Sequence, residues 1–381
     1  MTIVYCISGT CRAAGMERVL ADKANWLAAH GHQVHILTTD QRGLPSAFEM
    51  DPSINCQDLG INYEENNEGS FLSKVLKYPG KQLRHRCLLS KALKEIRADI
   101  VVSMFCNDVG FLPKIKDGSR KVLEVHFSRF KRLQYGRKGL WAIADKWRSK
   151  TDLKHVRAYD RFVVLTEEDK GYWGDLPNIV VIPNSVSLKA DGPAPLTGKT
   201  VIAVGRYSYQ KAFDRLVDAW KIVQDSLGPG SGWRLCLVGD GETRSNLEAQ
   251  IARLGLKDST ILGKVEKDMA NVYHNASILA LSSRYEGLPM VLLEAQSFGV
   301  PCVSFDCKCG PKDVIHDGEN GLLVPEGDVP ALAEALLKLI RDPEELKRMG
   351  GAAYIDATRW QPELIMQQWI NLFESVLLSR R

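Results

Sequence analysis

The stretch from Ile278 to Glu294 decides the fold, and it reads ILALSSRYEGLPMVLLE. Its apolar start, Ile278–Leu281, is typical of a buried parallel strand. Pro289 fits the first turn of a following helix, so we expect Glu286 on the connecting loop and Glu294 inside the helix. Ligands of open α/β sheets bind at the carboxyl ends of strands, where the first N–H groups of such a helix also point. The stretch therefore predicts a ligand site that contains two glutamates.

Both glutamates have apolar neighbours in the sequence. Glu294 is flanked by Leu293 and Ala295, and Glu286 is followed by Gly-Leu-Pro. A carboxylate in apolar surroundings needs a partner, and a hydroxyl-rich ligand could supply one. Two glutamates at this spacing also occur on solvated helix faces, so the other motifs must decide between these interpretations.

Composition predicts a soluble protein of two domains. The chain has 381 residues, of which 45% are hydrophobic and 25% charged, as in ordinary globular proteins. Its longest apolar runs are too short for a membrane span, and Thr2–Ser8 reads as a first strand rather than a signal peptide. Nine cysteines without a C-x-x-C pair or a zinc pattern predict free thiols in a reducing cytoplasm.

The positive charge is concentrated in the first half. Residues 1–180 carry 28 Lys and Arg against 21 Asp and Glu, whereas the remainder carries 22 against 25. The excess lies in Lys74–Lys94 and in Lys114–Arg161, and the second stretch also holds Phe127, Phe130, Tyr135, Leu140, Trp141 and Trp147. A solvated face is one interpretation, and a surface for anionic lipid head groups or a diphosphate-bearing acceptor is the other. No nucleic-acid module is visible, so an interfacial helix is favoured over nucleic-acid binding.

Short apolar runs alternate with helical patterns in both halves, which predicts two similar doubly wound α/β domains with a cleft between them. We expect domains at 1–183 and 200–360, a linker at 184–199 that is rich in Pro and Gly, and a C-terminal helix within 361–381. The predicted strands are Thr2–Ser8, His32–Leu37, Asp99–Met104, Lys121–Val125, Arg161–Leu165, Asn178–Ile182, Val201–Val204, Arg234–Val238, Thr260–Leu262, Ile278–Leu281, Val300–Phe305 and Gly321–Val324.

A basic loop follows the first strand of the second domain. It carries Arg206 and Lys211, and a planar guanidinium, a mobile ammonium and the next helix N-terminus together suit a diphosphate. The chain has no Asp-x-Asp motif to hold a divalent metal. Its absence fits a site in which these two cations, instead of a metal, neutralise a departing diphosphate.

Two residues of the first half are predicted to face the same cleft. Gly15 opens the first helix, where glycine allows a phosphate or sugar to approach the backbone closely, although a plain turn glycine is an equal alternative. His126 ends the strand Lys121–Val125 and is our candidate for orienting a substrate hydroxyl or assisting proton movement. A lone histidine is also often structural.

Together these motifs resemble the retaining glycosyltransferases of family four, over nearly the whole chain. The most specific part is Glu286-Gly287-Leu288-Pro289 followed by Glu294, and the Arg206–Lys211 loop, the Gly239–Glu242 turn and Ala14–Arg18 support it. The family commonly has two glycines in the last motif, whereas this chain has Ala14 before Gly15. The resemblance implies the GT-B fold, with two Rossmann-like domains whose parallel sheets face a cleft. The first domain would bind the acceptor and the second the nucleotide sugar, and the last helix, from about Glu363, would cross back onto the first domain.

The resemblance also implies a role for each site residue. Arg206 and Lys211 would bind the donor diphosphate and Glu294 its ribose, while Gly263 to Val265 would border the base. The transferred sugar would lie against Glu286, against the backbone of Gly287, Leu288 and Pro289, and near His126. Transfer in this family retains the anomeric configuration and uses no metal.

The sequence thus predicts a cytoplasmic, membrane-associating enzyme that transfers a hexose or N-acetylhexosamine from a nucleotide sugar, with UDP as the expected nucleotide. The expected acceptor is a polyprenyl-diphosphate-linked or other glycan in bacterial surface-polysaccharide assembly. A nucleotide-sugar 2-epimerase and a non-catalytic nucleotide-sugar sensor remain as alternatives. A nicotinamide-dependent oxidoreductase is disfavoured because the first loop lacks G-x-G-x-x-G.

Overall fold

The computed structural model describes residues 1–12, 14–68, 71–130, 140–188 and 190–379. The side chains of residues 66–76 and 131–147 are outside this description, and so are the predictions that concern Lys74, Tyr135, Leu140, Trp141 and Trp147. The chain is divided into two compact units. The first unit comprises 1–183 and 365–381, and the second comprises 184–364.

The first unit contains a seven-stranded parallel sheet in the order β3-β2-β1-β4-β5-β6-β7. Its strands are β1 (Thr2–Ile7), β2 (Gln33–Thr38), β3 (Asn55–Asp58), β4 (Ile100–Ser103), β5 (Arg120–Glu124), β6 (Arg161–Val164) and β7 (Ile179–Val181). Its helices are α1 (Gly15–Ala29), α2 (Phe71–Ile96), α3 (Leu140–Val156) and α4 (Glu167–Trp173). The doubly wound parallel sheet predicted for this half is confirmed.

Each face of this sheet has its own apolar core, because successive strand residues point to opposite sides. Ile3, Tyr5 and Ile7 of β1 pack with α1, whereas Val4 and Cys6 pack on the other face with Leu89 and Leu93 of α2. The C-terminal helix α12 (Pro362–Leu378) contributes Trp369 and Phe373 to the α1 side.

The second unit contains a six-stranded parallel sheet in the order β10-β9-β8-β11-β12-β13. Its strands are β8 (Thr200–Val204), β9 (Arg234–Val238), β10 (Thr260–Leu262), β11 (Ile278–Leu281), β12 (Cys302–Asp306) and β13 (Gly321–Pro325). Its helices are α5 (Phe213–Leu227), α6 (Arg244–Arg253), α7 (Met269–His274), α8 (Met290–Ser297), α9 (Pro311–Val314), α10 (Val329–Arg341) and α11 (Pro343–Asp356). The predicted parallel sheet is confirmed here as well.

The segment 184–199, interpreted as a linker from its composition, lies within the second unit. The backbone N–H of Ala194 donates to the carbonyl of Phe298 at 2.7 Å, and that of Val186 donates to Trp360 at 2.9 Å. Both Val186 and Ala194 are buried. Proline and glycine therefore mark an irregular segment that packs against its own unit.

Two elements differ from the sequence prediction. Strand β3 has the exposed sequence NCQD, which lacks the apolar alternation that identifies strands, and it joins the sheet at an edge beside β2. Helix α8 begins at Met290 with Pro289 as its N-cap, so the proline precedes the first turn instead of occupying it. Glu286 still lies on the loop and Glu294 in the helix, as predicted.

Candidate active site

The loop that carries Glu286 is hydrogen-bonded to the segment that follows β12. The backbone N–H of Glu286 donates to the carbonyl of Lys308 at 2.8 Å, and that of Cys309 donates to the carbonyl of Glu286 at 3.2 Å. Gly310 has φ +96°, and a Cβ there would lie 2.7 Å from the carbonyl oxygen of Gly287. Glycine is required because this close backbone approach leaves no room for a side chain.

Lys211 and Glu286 form an ion pair at the carboxyl ends of β8 and β11. The Nζ of Lys211 lies 2.7 Å from Oε1 of Glu286, which also accepts a hydrogen bond of 2.6 Å from the Ser283 hydroxyl. Gln210 donates to the other carboxylate oxygen at 3.4 Å. The exposed fractions of the lysine and glutamate side chains are 17% and 8%. The structure thus brings two of the predicted site residues into direct contact.

The lysine keeps the capacity to bind an anion. An ammonium group has three donors, and the contact with Oε1 of Glu286 uses one of them. The pair also keeps a carboxylate and an ammonium in a site with little water, where charge interactions are stronger than in solution. This arrangement can bind a phosphate oxygen with one group and a sugar hydroxyl with the other.

Arg206 lies on the same loop but in a much more open environment. Its side chain is 76% exposed, and its Nε donates to Oε2 of Glu242 at 3.1 Å. Exposed ion pairs contribute little to stability. The guanidinium can therefore exchange Glu242 for an anionic ligand at a small energetic cost.

Glu294 is buried in α8 and has a protein partner. Its Oε2 accepts a hydrogen bond of 2.6 Å from the hydroxyl of Tyr273, whose ring stacks against Phe298. The sequence suggested a ligand hydroxyl as the partner, and the structure supplies a tyrosine hydroxyl of α7. Periodicity could identify Tyr273 as a core residue, but not its contact with a glutamate 21 positions later.

The remaining donor-site candidates lie along the same edge. Leu288 is buried in the loop that joins β11 to α8, between Gly287 and Pro289. Gly263 directly follows β10, whereas Val265 is 72% exposed. The carbonyl of Gly263 accepts hydrogen bonds from Arg244 and Tyr207, two residues that the sequence did not single out.

The first unit carries Gly15 and His126 at the carboxyl edge of its own sheet. Gly15 is the first residue of α1, whose N-cap Ala14 makes no side-chain cap, and a Cβ at Gly15 would meet open space. A helix N-terminus of this length can bind an anion. The predicted proximity of Gly15 and His126 to Glu286 concerns the placement of the two units and stays a prediction.

His126 follows β5 and belongs to a buried charged cluster. Its Nε2 lies 3.0 Å from Oε1 of Glu124, and the same oxygen lies 2.5 Å from Nζ of Lys23 on α1. Burial acts to raise the pKa of Glu124, but the Lys23 ammonium and His126 outweigh it and lower this pKa to about 2. The carboxylate therefore stays ionised beside His126.

The residues that the structure describes contain neither a metal-binding cluster nor a membrane-spanning helix. Among these residues, His, Cys, Asp and Glu side chains form no group of three or more that could hold a metal ion. Over the same part of the chain, every helix is too short or too polar to span a bilayer.

The fold and the site together define a class of protein. Two Rossmann-like units with parallel sheets, and a strand-end site that combines an Arg-Lys loop with two buried glutamates, are the features of GT-B glycosyltransferases. Two family models match the chain, namely Glycosyltransferase Family 4 over residues 13–190 and Glycosyl transferases group 1 over residues 187–356.

Sequence relatives agree with this class. The chain is 32% identical over 385 residues, 99% of each chain, to a GalNAc-α-(1→4)-GalNAc-α-(1→3)-diNAcBac-PP-undecaprenol α-1,4-N-acetyl-D-galactosaminyltransferase of Campylobacter jejuni. It is 34% identical over 223 residues to the amylovoran biosynthesis glycosyltransferase AmsD of Erwinia amylovora, a match that spans 56% of this chain and 62% of that relative. The chain belongs to glycosyltransferase family 4.

A solved structure shows the same fold. The crystal structure of a point mutant of S. aureus TarM, in complex with Fondaparinux, α-GlcNAc-glycerol and UDP, superposes with a TM-score of 0.75 at 15% identity. The match covers 98% of this chain and 99% of TarM.

Proposed function

We propose that this glycosyltransferase transfers a hexose or N-acetylhexosamine from a UDP-sugar to a polyprenyl-diphosphate-linked or other glycan in bacterial surface-polysaccharide biosynthesis, with retention of configuration and without a metal. The contact between Lys211 and Glu286 carries the proposal. In this proposal the lysine binds the leaving diphosphate, and the carboxylate beside it holds the sugar hydroxyls.

The leaving group sets the main electrostatic problem of this reaction. As the bond between the anomeric carbon and the phosphate oxygen breaks, negative charge develops on UDP. Lys211 and Arg206 are placed on one loop to stabilise that charge, which supports a role for protein cations where other enzymes use a metal. Glu294, held by Tyr273, is the candidate partner for the ribose hydroxyls.

Retention follows from attack on the face from which UDP departs. The acceptor oxygen forms its bond to the anomeric carbon, and its proton passes to the departing phosphate, so charge and atoms balance. Glu286 is already paired with Lys211 and Ser283, which favours a role in holding sugar hydroxyls over a role as nucleophile. His126 is the candidate to orient a sugar hydroxyl.

The relatives support the donor and acceptor classes. The C. jejuni relative is named for transfer to an undecaprenyl-diphosphate glycan, AmsD for amylovoran biosynthesis, and TarM was crystallised with UDP. These names motivate the choice of UDP and of a lipid-linked acceptor for this chain.

A basic surface supports peripheral contact with an anionic membrane. On α2, Lys77, Arg84, Arg86 and Lys91 are exposed, and Leu83 among them is 71% exposed. Basic residues around an exposed apolar side chain suit an interface with anionic head groups. The second basic stretch fits this less well, because Lys121 is buried against Asp117.

The proposal is tested by incubating the purified chain with a panel of UDP-sugars and polyprenyl-diphosphate glycans. We expect release of UDP and an acceptor whose mass has increased by one sugar. Transfer to soluble acceptors alone would remove the lipid-linked part of the proposal. Nuclear magnetic resonance of UDP-N-acetylhexosamine with the protein alone would detect the 2-epimerase alternative, and donor binding without turnover on any acceptor would support the sensor.

A further inference from the structure

Arg244, the first residue of α6, holds the end of the edge strand β10. Its Nη1 donates to the carbonyl of Gly263 at 3.1 Å, and its Nη2 donates to the carbonyl of Leu262 at 3.3 Å. One guanidinium thus binds two successive carbonyls through its planar fork, which a lysine cannot reproduce. Strand β10 is at the edge of the sheet, beside β9, so these contacts support it where a further strand is absent.

The guanidinium is itself restrained from several sides. Its Nε donates to Oε1 of Glu248 at 3.1 Å, and Nη1 lies 3.6 Å from Oδ1 of Asp240. Its carbon lies 5.7 Å from the ring centroid of Tyr207. A long side chain that is fixed in this way loses its rotamer freedom before a ligand arrives, as a preorganised site requires.

Tyr207 cannot replace Arg244 as the donor to Gly263. The tyrosine hydroxyl lies 2.7 Å from the carbonyl of Leu237 and 3.2 Å from that of Gly263. Burial raises the pKa of Tyr207 to about 12, so the hydroxyl keeps its proton. It has one proton to donate, and the shorter contact to Leu237 takes the larger share. The Gly263 carbonyl therefore depends mainly on Arg244.

The same contacts join this segment to the basic loop of the donor site. Tyr207 directly follows Arg206, and its backbone N–H donates to the carbonyl of Asp240 at 2.9 Å. A Cβ at Gly239 would lie 2.0 Å from the carbonyl oxygen of Gly205, so the two turns are packed backbone against backbone. Arg244 and Tyr207 thus connect the end of β10 to the loop that carries Arg206.

We propose that Arg244 is a positioning residue that fixes Gly263–Val265 and thereby sets the discrimination between nucleotide bases. The family resemblance implies that the base lies beside this segment, and Arg244 holds its backbone at Leu262 and Gly263. Base selection would then depend on where that backbone is held. The inference rests on the proposed function, because it requires that the chain bind a nucleotide sugar. Arg244 acts through the segment it holds and not by contact with the reacting atoms.

The test compares wild type with Arg244→Gln and Arg244→Lys in titrations with UDP, GDP and inorganic pyrophosphate. Arg253→Gln, at the exposed other end of α6, is the matched control. We expect Arg244→Gln to weaken UDP binding by about tenfold, as for the loss of a charge-assisted hydrogen bond, and to reduce the preference for UDP over GDP. Pyrophosphate affinity should change much less than UDP affinity, because Arg206 and Lys211 remain. Arg244→Lys should resemble Arg244→Gln, because it lacks the fork.

Amide hydrogen exchange without nucleotide gives a second, independent readout. Arg244→Gln should increase exchange at residues 260–266, while circular dichroism shows that the fold is retained. Unchanged exchange in Arg244→Gln, or a wild-type preference for UDP in that variant, would overturn the role of Arg244. Wild-type behaviour of Arg244→Lys would contradict the requirement for a planar fork, because a positive charge alone would then hold the segment. A wild-type chain that bound no nucleotide would contradict the proposed function instead, and the exchange data would still decide whether Arg244 fixes the segment.

Discussion

The ammonium of Lys211 and the carboxylate of Glu286 are 2.7 Å apart, although 75 residues separate them in the chain. They follow two adjacent strands, β8 and β11, so the sheet itself sets their distance. Each residue partly neutralises the other in a place where an isolated charge would be costly. In the proposed function, the ammonium binds the phosphate of a sugar diphosphate and the carboxylate binds the hydroxyls of its sugar.

Replacement of this lysine should impair both catalysis and stability. Lys211→Ala should lower turnover by about a hundredfold or more, as observed when a preorganised charge donor is removed. It should also destabilise the second unit, because Glu286 is left buried without its cation. Steady-state kinetics and urea unfolding measure the two effects. Lys221→Ala, which removes a lysine paired with Asp225 on the α5 surface, should change neither quantity appreciably.

Replacement of Arg206 should reduce activity without affecting the stability of the fold. Because its side chain is 76% exposed, Arg206→Ala should change the free energy of unfolding by less than about 0.5 kcal/mol. Turnover should still fall by about a hundredfold, whereas Glu242→Ala should keep nearly full activity. Normal turnover in Arg206→Ala would mean that the diphosphate binds elsewhere.

Gly310 should be intolerant of substitution because of the loop it supports. A Cβ at this position would lie 2.7 Å from the Gly287 carbonyl oxygen and 2.8 Å from Cδ of Pro289, and φ is +96°. Gly310→Ala should destabilise the protein by about 1–3 kcal/mol and weaken donor binding. Gly351→Ala on α11, where a Cβ meets open space, should instead stabilise the protein by up to about 1 kcal/mol. Thermal unfolding and UDP titration measure both variants, and equal behaviour of the two would contradict the close approach.

Asp108 should make stability fall as pH rises. This carboxyl group is fully buried, and burial raises its pKa from 3.8 to about 6. The unfolded chain therefore loses this proton at a lower pH than the folded protein does. The stability that protonated Asp108 contributes is fully present below pH 3.8, and it is lost as pH rises through 6. Asp108→Asn stays neutral at every pH. Relative to wild type, its free energy of unfolding should increase by about 2.4 kcal/mol between pH 4 and pH 8, at 1.36 kcal/mol per pKa unit and with the unfolded carboxyl already partly ionised at pH 4.

Urea unfolding at several pH values measures this difference. A gap between Asp108→Asn and wild type that stayed constant from pH 4 to pH 8 would show that Asp108 titrates normally in the folded protein.

Local patterns in the sequence predicted most of the fold. Apolar runs such as Ile278–Leu281 identify buried strands directly. Strand β3 was missed because an exposed edge strand with the sequence NCQD is held by backbone pairing with β2 and lacks an apolar pattern. Segment 184–199 was interpreted from its Pro and Gly content, which reports irregular backbone and not packing.

The sequence identified the charged residues of the candidate site, but it did not identify the side chains that hold them in place. Glu286 and Lys211 follow strands that apolar runs identify, and the carboxyl ends of parallel strands meet at one edge of the sheet. The contact of Tyr273 with Glu294 and that of Arg244 with Gly263 depend on side-chain directions across separate elements. No periodicity encodes those directions, so a single sequence could not identify them.

A crystal structure of the protein with UDP tests the central claim most directly. We predict diphosphate density within hydrogen-bond distance of Arg206 and Lys211. The ribose should lie at Glu294, and Glu286 should lie beside the phosphate that carries the sugar in the donor. UDP density remote from all four side chains would contradict the account.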